Sequence, residues 1–331
     1  MPAKRAKRYI IYGAGGVGAS IGAQLYRSGR EILLIARGRH LEAIQQSGLD
    51  YRTPDGAEQL PIRAVAHPNK IEFAPGDVAI LAMKTQDSLP AIEALAAAAD
   101  VELPVVCAQN GVHNERLAQR RFRHVLGLAV WIPASFALPG VVLNYAPNAP
   151  IDVGRIPSGV DELTLEFVAH LSQAGFDPVA HEDVLAWKYA KLLTNAVATL
   201  DAVCGSRAGL DDVCARIREE GEACYLAAGI EIAGHEAHRE RLIAAARAMG
   251  EIDGSPRGRG SSSQSLQRGL GSIETDYING EIVWLGRVHG IATPVNETVQ
   301  VAANELAAHA GGAPLSKDDL RSRIAAAESL S

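Results

Sequence analysis

Residues 187–195 read WKYAKLLTN and place three polar side chains on a segment that is otherwise apolar. Lys191 and Asn195 are four residues apart, so on a helix they lie on one face, one turn apart. Lys188 lies one turn before Lys191, on roughly the same side. An ammonium group can donate hydrogen bonds and supply a proton. This row of donors is therefore either a solvated helix face, the common fate of a charged stripe, or part of a reactive site.

A glycine-rich turn lies near the start of the chain. The apolar, β-prone run 9–12 leads directly into GAGGVG at 13–18. A helix is predicted over 19–27, with Gly29 as its expected end, and a second buried strand over 31–36. Strand, glycine turn, helix and strand in succession predict a βαβ unit that binds a dinucleotide.

Each residue of that turn has an expected task. Gly13 permits the tight turn, Gly15 lets a pyrophosphate approach the backbone, and Gly18 lets the helix pack closely on the sheet. Gly16 and Val17 complete the loop, whose free N–H groups at the helix start would receive the phosphates. An ordinary tight turn is the alternative interpretation.

The end of the second predicted strand indicates which dinucleotide is bound. NAD-binding enzymes commonly place a carboxylate there for the ribose 2′-hydroxyl. This chain has ARGRH at 36–40, without a carboxylate. Arg37, with Arg39 as a second candidate, could instead bind a 2′-phosphate through charge-assisted hydrogen bonds. The segment therefore favours NADP(H), unless both arginines are only solvated loop residues.

Three further polar residues interrupt apolar surroundings. Lys84 follows VAILAM, and Asn110 lies in CAQNGV just after another apolar run. Both positions are predicted strand ends, where ligands bind in open α/β sheets. Glu274 lies in SIETDYING, near a helix start. Each residue also has a simpler interpretation. Lys84 could be a solvated loop lysine, and Asn110 could belong to an ordinary Asn–Gly turn. Glu274 could make only a favourable contact with the helix dipole, as Asp276 equally could.

The pattern of elements predicts an α/β fold. Further strands are expected at 78–82, 104–107 and 125–131, with helical segments between several of them. Such alternation predicts a Rossmann-type, doubly wound, largely parallel sheet covered on both faces.

The second half of the chain differs in composition and in the spacing of its apolar residues. It is Ala- and Leu-rich with helical spacing over 183–250, and helical character resumes at 277–289 and 299–308 after the Gly/Ser-rich segment 254–265. We therefore predict a dinucleotide-binding domain over 1–180 and an all-helical domain over 181–331. The tail from Gly311 is expected to be less ordered.

Composition excludes several classes of protein. The chain has 331 residues, of which 47% are hydrophobic, enough for two sizeable cores. A net charge of −6 gives no indication of a general nucleic-acid-binding protein. No apolar run approaches the about 20 residues of a membrane span. The four scattered cysteines contain no CxxC pair, so we expect reduced thiols in a cytoplasmic protein, with no metal site.

Taken together, these motifs resemble the ketopantoate reductase (2-dehydropantoate 2-reductase) family over roughly 8–305. The motifs, in chain order, are GAGGVG at 13–18, ARGRH at 36–40, AMKTQD at 82–87, QNGV at 109–112, KLLTN at 191–195 and ETDYING…HGIATPVN at 274–296. The resemblance implies a Rossmann-type NADP domain joined to a helical domain, with the active site between them.

The resemblance also assigns residue roles. Lys191 matches the family's general acid toward a substrate ketone, and Glu274 matches the carboxylate that keeps this lysine charged and aimed. Asn195 matches a substrate-binding amide, and Lys188 is left as a solvent-facing neighbour. The lysine role is physically reasonable, because hydride addition to a ketone leaves charge on the oxygen that an ammonium can neutralise.

The resemblance implies roles for four further positions, at some of which this chain differs from the family pattern. Lys84 and Asn110 match polar residues at the junction of cofactor and substrate. A family serine that binds the substrate carboxylate falls in the run SSSQSLQ, where Ser263 is our choice and Ser262 the alternative. The family often has a further asparagine where this chain has Thr199, followed by Leu200 instead of proline. Thr199 keeps a hydroxyl but loses the amide, which could change the substrate.

Three hypotheses follow from the sequence. The first is NADPH-dependent reduction of a 2-keto acid, ketopantoate to pantoate. The second is the same chemistry on another 2-keto acid or related carbonyl compound. The third is a dinucleotide-binding sensor without turnover, which would have no use for a proton donor at Lys191. The Ala-rich helical half could also offer a homodimer surface.

Overall fold

The computed structural model describes residues 7–255, 260, 263, 266, 271–309 and 312–329. Its strands are β1 (Arg8–Tyr12), β2 (Glu31–Ile35), β3 (Leu49–Thr53), β4 (Gly56–Leu60), β5 (Arg63–Val65), β6 (Asp77–Leu81), β7 (Val105–Cys107), β8 (Val125–Val130), β9 (Ala134–Leu138), β10 (Val141–Asn144), β11 (Pro150–Arg155) and β12 (Asp177–Ala180). Its helices are α1 (Gly16–Arg27), α2 (Gly38–Ser47), α3 (Ser88–Ala98), α4 (His113–Gln119), α5 (Glu162–Gln173), α6 (Val184–Val203), α7 (Asp211–Ala228), α8 (His235–Arg247), α9 (Asn279–His289), α10 (Pro294–Ala308) and α11 (Lys317–Glu328).

An eight-stranded sheet has the order β12-β11-β8-β7-β6-β1-β2-β5. Neighbours from β5 to β8 are all parallel, whereas β11 pairs antiparallel with β8. This confirms the predicted Rossmann-type, largely parallel sheet. The chain moves from β1 to β2 and β5 on one side, and then to β6, β7 and β8 on the other. The carboxyl ends of β1 and β6 therefore flank the switch point where ligands bind in such sheets.

The central strands are continuous apolar runs because both of their faces are covered. Every residue of β6 (DVAIL) and β8 (VLGLAV) is buried. Apolar side chains from one face of β1 and β2 and from α1, such as Ile11, Leu34 and Ile21, belong to one core cluster. Their burial is the main force that holds the sheet to its helices.

A second, four-stranded sheet, with the order β4-β3-β10-β9, was not predicted from the sequence. Strands β9 and β10 contact α1, so the small sheet covers one side of that helix. Its strands give a weak signal, since four of the five residues of β4 (GAEQL) are exposed. Pairing between distant strands, such as β3 with β10, is what creates this sheet.

The chain divides into two compact units, Met1–Lys188 with Gly234–Arg257, and Tyr189–Ala233 with Gly258–Ser331. The domain boundary near residue 180 stays a prediction, and it did not anticipate that 234–257, including α8, belongs to the first unit.

Ion pairs hold α8 to the sheet of the first unit. Arg241 of α8 lies 3.0 Å from Asp152 of β11 and 2.8 Å from Asp177 of β12. The buried Asp152 also accepts hydrogen bonds from Trp131 Nε1 and pairs with His181 Nε2, both at 2.9 Å. These partners satisfy a carboxylate that would otherwise be costly to bury.

The second unit is helical, as predicted. Glu220 of α7 accepts hydrogen bonds from the backbone N–H groups of Val295 and Asn296, both at 2.9 Å, and so caps the first turn of α10. The expectation of a less ordered tail after Gly311 is wrong for 317–328, which form α11. Leu320 and Ile324 of α11 are buried, and their apolar contacts explain why this segment is helical.

In the described part of the chain, no helix has the length and apolar character needed to cross a membrane. The cysteines at 107, 204, 214 and 224 are all free.

A buried histidine makes the stability of this fold depend on pH. His170 of α5 lies 2.7 Å from the Tyr9 hydroxyl of β1. Burial, aided by the charge of Arg30, lowers the pKa of His170 below its ordinary value of 6.5. As the pH falls through 6.5, the unfolded chain therefore binds a proton at this position before the folded chain does, which favours unfolding.

We predict that wild type loses stability relative to His170→Gln as the pH is lowered from about 7.5 to about 5.5. The other titrating groups are common to both proteins and cancel in the difference. Urea unfolding at several pH values measures it. A difference in the free energy of unfolding that does not change with pH would show that His170 has the same pKa in both states.

Candidate active site

The glycine turn connects β1 to α1 and is packed against the loop that follows β6. Gly13 has φ +100°, and a Cβ at this position would lie 2.5 Å from the backbone nitrogen of Met83. A Cβ at Gly18 would overlap the carbonyl oxygen of Gly13 and lie 2.7 Å from Ala82 Cβ. By contrast, a Cβ at Gly15 would meet nothing within 4 Å in the described structure. Two of these glycines are thus required by packing, while Gly15 borders open space.

The start of α1 is suited to an anion. Gly15 is its N-cap residue, and among the described residues no side chain caps this end of the helix. The first turn, with Gly16, Val17 and Gly18, carries no acidic residue. The N–H groups of a first helical turn lack acceptors within the helix, and the helix dipole is positive there. This end of α1 can therefore receive the phosphates of a dinucleotide.

His40 braces the glycine turn and was not singled out from the sequence. The backbone N–H of Gly140 donates to His40 Nδ1 at 2.9 Å, so the ring proton lies on Nε2, which donates to the carbonyl of Ala14 at 2.7 Å. Burial lowers the pKa of this histidine, which keeps it in the neutral form that both hydrogen bonds require. His40 therefore links the turn to the connection between β9 and β10.

Arg37 lies between β2 and α2, with its side chain 77% exposed. Its Nη2 is 3.2 Å from a carboxylate oxygen of Asp87, which follows β6. An exposed pair of this kind contributes little to stability. The guanidinium can therefore exchange this partner for an anionic ligand. Arg39 is also exposed.

Lys84 and Asn110 lie in the loops after β6 and β7, and both are half-buried. Two side-chain hydrogen bonds join these loops to the starts of the neighbouring helices α3 and α4. Asn114 Nδ2 donates to Thr85 Oγ1 at 3.1 Å, and Gln109 Nε2 donates to Ser88 Oγ at 3.3 Å. Because β6 and β7 are parallel neighbours, their carboxyl ends lie at the same edge of the sheet. The fold thus brings the segments of Lys84 and Asn110 together.

Lys188 is not solvent-facing, and the prediction that it is exposed was wrong. Only 3% of the residue is accessible. Its ammonium lies 2.6 Å from Glu115 Oε1 and donates to the carbonyl oxygens of Gln109 at 2.9 Å and Leu128 at 3.1 Å. These acceptors explain how a charged lysine can be buried. Sequence spacing could not reveal them, because they lie on α4, β8 and the loop after β7.

Helix α6 also carries the three residues predicted to act on the substrate from this part of the chain. Lys191 and Asn195 are half-buried and one helical turn apart. The Nδ2 atom of Asn195 is buried and has no hydrogen-bond partner within the described residues. Thr199 is fully buried, and its hydroxyl donates to the Asn195 carbonyl at 3.3 Å. Thr199 could therefore only accept a hydrogen bond from a substrate.

Ser263 and Glu274 belong to the same unit as Lys191 and are both buried. The hydroxyl oxygen of Ser263 has no hydrogen-bond partner in the part of the chain that is described, whereas Ser262 lies outside the described residues. Glu274 begins the 3₁₀ turn Glu274–Tyr277, which leads into α9. Asn279 Nδ2 donates to the carbonyl of Ala196 at 3.3 Å, so this segment is attached to α6 close to Asn195.

The two units therefore offer complementary chemistry. The first provides an anion site of backbone N–H groups with an exposed arginine, as dinucleotide binding requires. The second provides an ammonium, a carboxylate, and buried polar atoms that have no hydrogen-bond partner among the described residues, Asn195 Nδ2 and Ser263 Oγ among them. A buried polar group without a partner costs about 1–3 kcal/mol, so a polar ligand that pairs with such an atom would recover that cost.

Comparison with known proteins identifies the family. Residues 9–158 match the family model described as ketopantoate reductase PanE/ApbA, and residues 183–307 match the model for its C-terminal part. The 2-dehydropantoate 2-reductase of Archaeoglobus fulgidus is 30% identical over 307 residues, covering 89% of this chain and 96% of the relative. The enzyme of the same name from Pyrococcus horikoshii is 28% identical, covering 88% and 94%.

Solved structures lead to the same family. The PanE/ApbA family ketopantoate reductase from Ralstonia eutropha JMP134 is 27% identical with a TM-score of 0.78, covering 92% of this chain and 99% of that one. The ternary structure of D-mandelate dehydrogenase with NADH and anilino(oxo)acetate has a TM-score of 0.77 over the same shares, but at 19% identity it shows a common fold alone. The motifs, both family models and the relatives agree, and this chain therefore belongs to the ketopantoate reductase family and is an oxidoreductase.

Proposed function

We propose that this protein reduces 2-dehydropantoate (ketopantoate) to pantoate with NADPH, and that Lys191 is the general acid. The observation that carries the proposal is the buried Asn195 Nδ2 atom, which has no hydrogen-bond partner among the described residues and lies one turn along α6 from Lys191. An ammonium and an amide donor in this arrangement suit a carbonyl substrate with further polar groups. The names of the curated relatives support the choice of substrate.

The glycine turn fits the cofactor. Open space at Gly15 leaves room for a pyrophosphate against the backbone, and the N–H groups of Gly16, Val17 and Gly18 can donate to it. Arg37 is the residue that would bind the 2′-phosphate of NADPH, since its exposed guanidinium has only a weak partner in Asp87. Lys84 and Asn110 are proposed to contact the cofactor, and Asn110 the substrate as well.

Bound NADPH supplies the hydride that reduces the keto carbon. The side chains of this chain handle the charge that develops on the keto oxygen. The Lys191 ammonium would hydrogen-bond to that oxygen and transfer a proton to it as the carbon becomes tetrahedral. Glu274 would keep Lys191 protonated and aimed, because a nearby carboxylate favours the charged form of an amine.

The remaining polar atoms would hold the substrate. Asn195 Nδ2 would donate to a substrate oxygen, and Ser263 Oγ would bind the substrate carboxylate, since each atom lacks a partner among the described residues. Thr199 would contribute one acceptor, where an asparagine would offer both a donor and an acceptor. The positions of Asn195 and Thr199 on one helix would orient the substrate for reaction.

The experiment that tests the proposal is NADPH oxidation, followed by absorbance, with ketopantoate and a panel of other 2-keto acids. We expect a high rate that is selective for ketopantoate. A faster rate on another 2-keto acid would retain the chemistry but replace the substrate, with Thr199 as the first residue to examine. Tight NADPH binding without turnover of any carbonyl compound would contradict the proposal and indicate a dinucleotide sensor.

The glycine turn generates a matched pair of variants. Gly18→Ala forces a methyl group onto backbone and core atoms, so the free energy of unfolding should fall by about 1–3 kcal/mol. Gly15→Ala meets open space at φ −77°, so it should leave stability unchanged and weaken NADPH binding roughly ten-fold. Thermal unfolding and fluorescence titration separate the two effects. Unchanged NADPH affinity in Gly15→Ala would show that the pyrophosphate does not bind against this turn.

Lys191→Ala should lower kcat by roughly two to four orders of magnitude, because the developing alkoxide loses its proton donor. NADPH affinity should stay close to wild type, since Lys191 is not proposed to bind the cofactor. Lys70→Ala, which removes an exposed lysine of the first unit, is the control and should keep full activity. Wild-type kcat in Lys191→Ala would rule out this lysine as the general acid.

Arg37→Ala should weaken NADPH binding by roughly 10- to 100-fold, the loss expected for a hydrogen bond to a charged group, while NADH binding changes little. Arg39→Ala is the matched comparison, because it tests the second exposed arginine of the same segment. Affinities for both nucleotides would be measured by titration. An equal loss for NADPH and NADH in Arg37→Ala would mean that Arg37 does not bind the 2′-phosphate.

A further inference from the structure

The Lys188–Glu115 ion pair is buried to an extent that stability alone does not explain. The two side chains are 2% and 1% exposed, and their charged atoms are 2.6 Å apart. Replacing a buried ion pair by apolar residues of similar size is often neutral or stabilising, because both charges must be removed from water. A pair of this kind is therefore better explained by the geometry that it enforces.

Its surroundings make the pair rigid. A Cβ at Gly127 of β8 would lie 3.5 Å from Glu115 Oε1, 3.2 Å from Val184 and 3.0 Å from Ile156, so the carboxylate lies beside an apolar wall. Val184 and Ile156 belong to a buried core cluster of the first unit. In such surroundings an ion pair is poorly screened, and displacement of the ammonium from its acceptors is costly.

The acceptors of Lys188 connect it to a predicted site residue. One is the carbonyl oxygen of Gln109, whose neighbour in the chain is Asn110. Another is the carboxylate of Glu115, on the helix that follows the Asn110 loop. The start of α6 is therefore fixed to the loop that carries Asn110.

Lys191 lies on the same continuous helix, three residues after Lys188, a rise of about 4.5 Å. Each residue turns the helix by about 100°, so the direction of the Lys191 side chain is fixed relative to Lys188. A shift or rotation of the helix at Lys188 would therefore move the Lys191 ammonium. Displacement of a reacting group by about 1 Å can lower a rate by two orders of magnitude. Anchoring at Lys188 thus has a direct consequence for chemistry at Lys191.

We propose that Lys188 and Glu115 are positioning residues, which act on the reaction by fixing the start of α6 and, through it, Lys191. The inference rests on the proposed function, because it takes Lys191 as the general acid. Lys188 itself does not donate the proton: it is buried, and its ammonium is held by Glu115, Gln109 and Leu128.

The test uses the double variant Lys188→Met/Glu115→Leu in the full chain. It removes both charges together, so that no buried charge is left without its partner, and it should unfold at a temperature close to that of wild type. We expect kcat to fall roughly 10- to 100-fold with little change in NADPH affinity. Lys70→Met is the control for loss of a lysine at an exposed position. A double variant that is folded and has wild-type kcat would overturn the proposal.

Single variants and a double-mutant cycle make the result specific. Lys188→Met alone leaves Glu115 buried without a cation and should be destabilised, which the double variant should reverse. In a Lys191→Ala background, the Lys188→Met/Glu115→Leu change should have almost no further effect on the residual kcat, because it acts through Lys191. An undiminished effect in that background would contradict positioning of Lys191.

The two proposals fail in different ways. If Lys191→Ala keeps the wild-type rate, the proposed function is wrong, whatever Lys188 does. If Lys191→Ala loses its rate and the folded Lys188→Met/Glu115→Leu variant does not, only the positioning proposal fails.

Discussion

The close approach of two loops at the switch point of the parallel sheet constrains the rest of the first unit. The loop after β1 lies so near the loop after β6 that neither Gly13 nor Gly18 has room for a Cβ. This packing sets the direction of α1 and brings its uncapped first turn to the carboxyl edge of the sheet. The residues after β2 and β6, Arg37 and Lys84, then belong to the same edge because the strands are parallel neighbours.

A neutral buried histidine and the small sheet reinforce this arrangement. His40 accepts from Gly140 and donates to Ala14, and it can do both only as a neutral ring, which its burial favours. Gly16 packs against the small sheet as well, since a Cβ there would lie 3.1 Å from the backbone of Ala134. The small sheet thus also packs against the glycine turn.

Local signals in the sequence predicted the elements whose partners are near in the chain. The βαβ unit at 9–36 and the strands near 78, 105 and 125 were predicted from apolar runs and glycines. The small sheet, the return of α8 to the first unit and the burial of Lys188 could not be predicted. Each depends on partners far away, such as β3 with β10, Arg241 with Asp152, or Lys188 with Glu115. The position of a lysine on a helix is the same whether its ammonium is solvated by water or paired with a distant carboxylate, so the spacing alone does not distinguish the two.

The contrast between Lys188 and Lys191 decides how the opening segment of the sequence should be interpreted. Both were candidates for a reactive ammonium by type and position. Lys188 is buried, and its ammonium pairs with the Glu115 carboxylate and donates to two carbonyl oxygens, so it could reach a substrate only by breaking a buried ion pair. Lys191 is half-buried and lies one turn from the amide of Asn195, whose Nδ2 has no acceptor among the described side chains and backbone. The Lys188 ammonium, which donates to two carbonyl oxygens, indicates a structural anchor, whereas the Asn195 donor, which has no acceptor among the described residues, supports the substrate site proposed further along the same helix.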